Sequence, residues 1–234
     1  MLSRRSFSVG GASAVASVLS ACSGSGSFAE LESAPTATQK ALTRTLERPN
    51  YKAIYGEYSG EPFRIAAFDY QRMDPQFLRQ SVEYGGSEQV GTIIVDPHSK
   101  VLHFVETPGR ATRYGVGVGR EGFSWAGDAQ INMKRNWPDW IPPQDMIERT
   151  PEIVAQLERT PRGMGVPGGP RSPLGARSMY LFGGGRDLGY RIHGTTEPET
   201  IGTNVSSGCI RMINQDIAHL YTRAAIGTRV IVLA

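Results

Sequence analysis

Residues Tyr190 to Met212 read YRIHGTTEPETIGTNVSSGCIRM. A His-Gly-Thr at 193–195 is followed, sixteen positions after the histidine, by Cys209 within Ser-Ser-Gly-Cys-Ile-Arg-Met. A free thiol of pKa about 8.5 is only a few per cent ionised near neutral pH, so a thiol nucleophile needs a base at hand. It also needs N–H donors for the oxyanion of a tetrahedral intermediate. His193 is the base in this reading. Gly208 lets the backbone approach a substrate closely, and Arg211 puts a fixed cation two residues past the sulfur.

Working outward, the flanking chain is β in character. Gly189–His193 reads as the strand that leads into the site, and Arg229–Leu233 as a terminal apolar strand. Upstream, Thr92–Val95 and Lys100–Glu106 form a hairpin around Asp96-Pro97, and Ala111–Val118 alternates as a third strand. Ile131–Lys134 and Arg177–Phe182 are further strands. Helices are few: Pro143–Glu148, Pro151–Glu158 and Asn214–Arg223, the last with Asp216 in its first turn. Trp125–Pro143 holds three tryptophans and three prolines, and Arg162–Gly175 is rich in glycine and proline. These two stretches read as loops, the tryptophans packing in the core or walling a cleft. Short strands separated by Gly/Pro turns predict a mainly β protein, a small sandwich or barrel with a few short helices.

Composition narrows the function. The chain has 234 residues, a net charge of +3 and no basic run interleaved with aromatics, which argues against a nucleic-acid partner. His98, His103 and His219 stand at no metal-ligand spacing with one another or with Cys209, so no metal is expected. The two cysteines have different surroundings. Residues 1–22 pair Arg4-Arg5 with an uncharged stretch too short to span a bilayer and end in Leu-Ser-Ala-Cys. This predicts an export signal, of twin-arginine appearance, with a lipobox that makes Cys22 a lipidation site. The alternatives are an ordinary secretory signal and a plain cleaved one. The predicted organisation is a signal at 1–22, a flexible tether at 23–50 with a short helix at 38–47, an N-terminal extension at 51–90 and a catalytic domain at 91–234. Cys209 is then a lone thiol in an exported chain.

His193-Gly194-Thr195 and Ser206-Ser207-Gly208-Cys209-Ile210-Arg211-Met212 resemble the signature of the L,D-transpeptidases with a YkuD catalytic domain. So do the run Lys134 to Pro143 and Ser172-Pro173-Leu174-Gly175. The family most often has histidine where this chain has Ser207. The resemblance implies that Cys209 attacks the carbonyl joining the third residue of a peptidoglycan stem peptide to its terminal D-alanine. A thioester forms and an amine acceptor resolves it, giving a 3–3 crosslink or an attached amine. It also implies His193 as base and then acid, oriented by the Gly194 carbonyl, with Gly208 and Cys209 amides as oxyanion donors and no cofactor. Arg211 would lower the thiol pKa and pair with a substrate carboxylate, and Ser207, Tyr190 and Trp140 would contact substrate.

Two other readings compete. One is a thiol carboxypeptidase or endopeptidase on the same scaffold, passing the acyl group to water. The other is a non-catalytic peptidoglycan-binding lipoprotein, which would need neither Cys209 nor His193. The expected setting is the periplasm or cell envelope, with a lipid anchor in the membrane, stem peptides as partners and a monomeric chain.

Overall fold

The computed structural model describes residues 49–59, 62–119, 125–206 and 208–234. The signal with Cys22, the helix expected at 38–47 and Ser207 lie outside the described residues, as does all of the tether before residue 49.

Three consecutive strands, β2 (Ile93–Asp96), β3 (Val101–Thr107) and β4 (Arg110–Gly115), form an antiparallel meander. The β2–β3 turn is fixed by Asp96, whose Oδ1 accepts from the His98 and Ser99 amides at 2.9 and 3.0 Å. The terminal strand β13 (Arg229–Val232) lies parallel to β2 and antiparallel to β6 (Gly127–Asn136). Beyond β6 come β9 (Arg177–Gly183), β10 (Arg186–His193) and the short β12 (Ile210–Arg211), the last parallel to β10. With β1 (Gln80–Glu83) on β4, the order is β1-β4-β3-β2-β13-β6-β9-β10-β12. The chain after β4 reaches the far end of this sheet. Gly117 and Arg211 exchange backbone hydrogen bonds at 3.0 and 2.8 Å, and β5 (Val118–Gly119) pairs with β11 (Asn204–Ser206). The nine strands therefore roll up, as expected for a small barrel-like protein.

The inner face follows from period-two alternation. Ile93, Val95, Leu102, Ile131, Met179, Leu181, Ile192 and Val230 all turn inward and are essentially inaccessible. Burying each such side chain stabilises by about 1.5–3 kcal/mol. Ile217 and Leu220 of helix α3 (Asn214–Arg223) join them. Lys134 closes the end of that helix, its Nζ donating to the Tyr221 and Ala224 carbonyls at 2.5 and 2.6 Å. The opposite side of α3 receives the N-terminal segment. Tyr55 donates its hydroxyl to buried Asp216 at 3.1 Å, and Gln215 Nε2 donates to the Ala66 carbonyl at 2.8 Å. Tyr55 follows the single-turn helix α1 (Tyr51–Ile54), which Asn50 caps.

Three features differ from the sequence expectation. β6 runs ten residues rather than four, because Ala129 and Ile131 extend the inward alternation beneath polar outward neighbours. The expected helix at 151–158 is a 3-10 turn, Pro151–Gln156, lying after the one-and-a-half-turn helix α2 (Gln144–Arg149). A hairpin follows, β7 (Glu158–Thr160) and β8 (Gly163–Gly165), its second strand lying in the glycine-rich stretch read as a loop. It is held by the Thr160 hydroxyl donating to the Gly163 carbonyl at 2.9 Å.

Buried titrating groups tie this fold to pH. Burial holds His103 and His193 down to about 4, with Arg113 adding to the effect at His103 and Arg211 and Arg191 at His193. In the unfolded chain both titrate near 6.5, so unfolding between about pH 6.5 and 4 takes up two protons there. Asp216 opposes them. Burial lifts it to about 7 against the pull of Arg79, so unfolding releases one proton from it in the same window. His219, also held down to about 4 by burial and by the Arg79 and Arg223 charges but partly exposed, adds a smaller uptake. Net uptake is between one and two protons, and stability falls as pH drops, by about 1.4–2.7 kcal/mol per pH unit. Chemical denaturation should show stability about 2–4 kcal/mol lower at pH 4.5 than at 6.5. A curve that is flat or rises with acid would mean that these groups are not held as described.

Candidate active site

From Tyr190 onward β10 alternates, so Arg191 and His193 share one face while Tyr190 and Ile192 share the other. His193 ends the strand at 4% exposure. Its Nδ1 lies 2.5 Å from the Gly194 carbonyl oxygen. A carbonyl only accepts, so Nδ1 carries the proton and Nε2 keeps its lone pair. The strand end is pinned on both sides: Gly194 donates its amide to the Arg177 carbonyl at 3.0 Å, and Met212 donates to the His193 carbonyl at 2.8 Å.

The turn that carries the Gly194 carbonyl is braced one residue further on by Asn214, the first residue of α3. The Asn214 Oδ1 accepts from the Ala176 amide at 2.9 Å, and its Nδ2 donates to the Thr195 carbonyl at 2.8 Å. The carboxamide thus ties the turn before β9 to the turn after β10. It fits because both turns place glycine against it. A Cβ on Gly194 would stand 2.1 Å from Asn214 Oδ1, and one on Gly175 2.3 Å.

Cys209 directly precedes β12. The parallel register sets Ile210 beside Ile192 and Arg211 beside His193, which brings Cys209 alongside Arg191. The half-buried thiol is pushed up by burial, an effect that the Arg191 backbone N–H and the Arg191 and Arg211 charges only partly offset. With His193 at about 4 and the thiol above its ordinary value, both groups are uncharged at neutral pH. Such a pair works by proton transfer to the imidazole during attack. Gly208 takes φ +108°, and a Cβ there would lie 2.8 Å from the Tyr190 ring. Glycine is therefore demanded twice next to the sulfur, by conformation and by the aromatic floor beneath it.

The other expected contacts are placed as follows. Arg211 lies beside His193 in register, but its Nη1 donates to Glu197 at 2.8 Å and stands 3.4 Å from the Thr200 hydroxyl. That guanidinium is engaged within the protein. Tyr190 stands on the face opposite His193, stacked on Trp125 with ring centroids 5.3 Å apart, in a narrow apolar slot with Gly208 and Ile210. Trp140 exchanges backbone hydrogen bonds with Val166 at 2.9 and 2.8 Å, anchoring the base of the β7–β8 hairpin. Trp137 is the buried tryptophan, edge-on to Phe63. Arg191 and Asn214 were not singled out in the sequence. Arg191 was visible there, two positions before His193 on a strand; Asn214 gave no local signal.

Among the described residues no group of three or more His, Cys, Asp or Glu side chains is placed to hold a metal ion. No helix among them is long and apolar enough to cross a membrane.

A thiol at the entry to one strand and an uncharged imidazole at the end of the adjoining one, the imidazole's tautomer set by a carbonyl, are an arrangement suited to acyl transfer. The chain belongs to the L,D-transpeptidase catalytic-domain family, YkuD, whose family model matches residues 91–232. It is 35% identical over 119 residues to a Salmonella typhimurium protein described as a probable L,D-transpeptidase, ErfK/SrfK, covering 49% of this chain and 35% of that one. It is 31% identical over 144 residues to the probable L,D-transpeptidase YbiS of Escherichia coli, covering 60% of this chain and 43% of the relative. The chain thus spans less than half the length of these two curated relatives. A solved Brucella melitensis structure titled as a probable carnitine operon oxidoreductase is 46% identical, covering 70% of this chain and 99% of its own, with a TM-score of 0.47.

Proposed function

We propose that the chain is a cysteine L,D-transpeptidase acting on peptidoglycan stem peptides. The observation that carries this reading is the His193 tautomer: with Nδ1–H committed to Gly194, Nε2 is the free base on the strand beside Cys209. Family membership supplies the reaction class. In the proposed cycle Cys209 attacks the carbonyl before the terminal D-alanine as its proton passes to Nε2. The tetrahedral oxyanion is received by the Gly208 and Cys209 amides. The amides of Arg211 and Met212 that follow are already taken, by the Gly117 and His193 carbonyls. The imidazolium then protonates the departing D-alanine amine, leaving a thioester. An acceptor amine attacks the thioester, gives its proton to His193 and displaces the sulfur, which is reprotonated. No cofactor enters the cycle.

The proposal extends to place: an exported chain, anchored by lipid at Cys22 to a membrane of the cell envelope and acting as a monomer. The lipobox-like Leu-Ser-Ala-Cys at 19–22 motivates the anchor. Membrane fractionation unchanged by Cys22→Ala would remove it.

Mass spectrometry tests the chemistry. The full chain is incubated with disaccharide-tetrapeptide from a diaminopimelate-type wall, and Cys209 is followed by peptide mapping. The expected result is an adduct on Cys209 with loss of D-alanine, then a crosslinked dimer. An adduct resolving only to tripeptide would favour the hydrolase. No adduct on a thiol still open to alkylation would overturn the donor assignment.

A further inference from the structure

With Arg211 engaged by Glu197, the question is what else near Cys209 is positioned to meet an anion. The answer lies on the face of the sheet that carries Arg191. Tyr180 pairs with Arg191 in the β9–β10 register and is buried at 2% exposure. Two guanidiniums converge on its ring. Arg191 lies over the face, 4.2 Å from the centroid, and Arg162, from the turn of the β7–β8 hairpin, donates to the phenol oxygen at 3.1 Å. Their charges are balanced differently. Arg191 is held in a two-pronged pair with Asp187 at 2.7 and 2.8 Å. Arg162 meets no carboxylate among the described residues; the neighbouring Arg171 has Glu158 at 2.8 Å.

An exposed arginine is normally mobile, and fixing it costs side-chain entropy. Here a buried phenol and the hairpin turn hold the guanidinium in place while its charge stays uncompensated. Adjacent strands lie about 4.8 Å apart, and Tyr180 and Cys209 flank Arg191 on either side. Their backbones are therefore about 10 Å apart, the reach of a side chain on the residue whose carbonyl is attacked.

We propose that Arg162, seated on Tyr180 beside the Arg191–Asp187 pair, forms a carboxylate-binding subsite that recognises an anionic side chain of the acyl donor. This rests on the transpeptidase reading and adds to it the group that selects the donor. The planar fork accepts a carboxylate in two-pronged fashion, which an amide cannot reproduce. The hairpin then acts as the arm that delivers this contact.

The test has two readouts on the full chain. In the first, Arg162→Gln and Arg162→Lys are compared on donor peptides carrying either a free or an amidated side-chain carboxyl. Arg162→Gln is expected to lower kcat/KM about tenfold for the free acid and to leave the amide within about twofold, with Arg162→Lys between. Equal losses on both donors, or none, overturn the subsite. The second readout needs no turnover: the rates at which iodoacetate and iodoacetamide alkylate Cys209, read by peptide mapping. At low salt, Arg162→Gln should reduce the iodoacetate-to-iodoacetamide ratio about two- to fourfold, and Arg162→Lys should preserve it. If no peptide is turned over, the transpeptidase reading fails while this ratio still decides the subsite; a ratio unmoved by Arg162→Gln then overturns it.

Discussion

Cys209→Ala is expected to abolish acyl transfer, lowering turnover by roughly 10⁴-fold or more, while the chain stays folded. The loss follows from covalent chemistry, since without sulfur there is no thioester and the pathway ends. Stability should hardly change. The thiol is half-buried, precedes rather than joins β12, and contributes no side chain to the main core. A shift within about 1 kcal/mol is expected, measured by chemical denaturation beside the activity assay. Cys209→Ser is the sharper variant. Its hydroxyl keeps nearly the same shape but is far harder to deprotonate. The base available is an imidazole that burial holds at about 4. So weak a base suits a thiol, whose proton is lost more readily, and is poorly matched to an alcohol. Serine should therefore be nearly as inactive as alanine. A turning-over Cys209→Ala protein would sink the mechanism.

Much of this was legible in the sequence wherever the signal is local. Gly-Cys-Ile-Arg and the His-Gly pair are short motifs. β2, β3 and β9 read directly because they are apolar runs buried along most of their length, as in RSMYLF, where Met179 and Leu181 turn inward and Tyr180 is covered as well. Legibility fails where burial depends on a distant partner. β1 reads Gln-Ser-Val-Glu, an unpromising strand. Its buried Gln80 is made acceptable by donating to the Pro75 carbonyl at 2.6 Å, a contact across the preceding turn. The resemblance implies that Arg211 pairs with a substrate carboxylate; its ion pair with Glu197, fourteen residues upstream, is a contact that no short motif announces. The β7–β8 hairpin is hidden by composition, since Gly163 and Gly165 carry no side chain to show a period. Arg162 gains its interest only once the β9–β10 register puts Tyr180 beside Arg191, a pairing between residues eleven apart that no local motif announces.

Asn214→Ala is the second large expected effect, and it separates positioning from contact. The carboxamide makes two hydrogen bonds of opposite sense, one accepted from Ala176 and one donated to Thr195, in a pocket that two glycines keep clear. Alanine leaves a backbone donor and a backbone acceptor without their partner, at about 1–3 kcal/mol for each group buried and unmet. The chain should lose about 2–4 kcal/mol of stability. More telling is the fate of the Gly194 carbonyl. Freed of its brace, it drifts from His193 Nδ1, the imidazole reorients, and Nε2 no longer faces the thiol reliably. Displacements of about 1 Å at a reacting group cost on the order of 10²-fold. The loss should fall on kcat, because Asn214 meets no substrate in the proposed cycle. Asn214→Asp sharpens the reading. A carboxylate still accepts from Ala176 but cannot donate to Thr195, so it preserves one turn and releases the other, the one that carries Gly194. If the brace acts through the histidine, Asp should match Ala in kcat while keeping more of the stability. A kcat that simply tracks stability across the two variants would show instead that Asn214 serves only the fold.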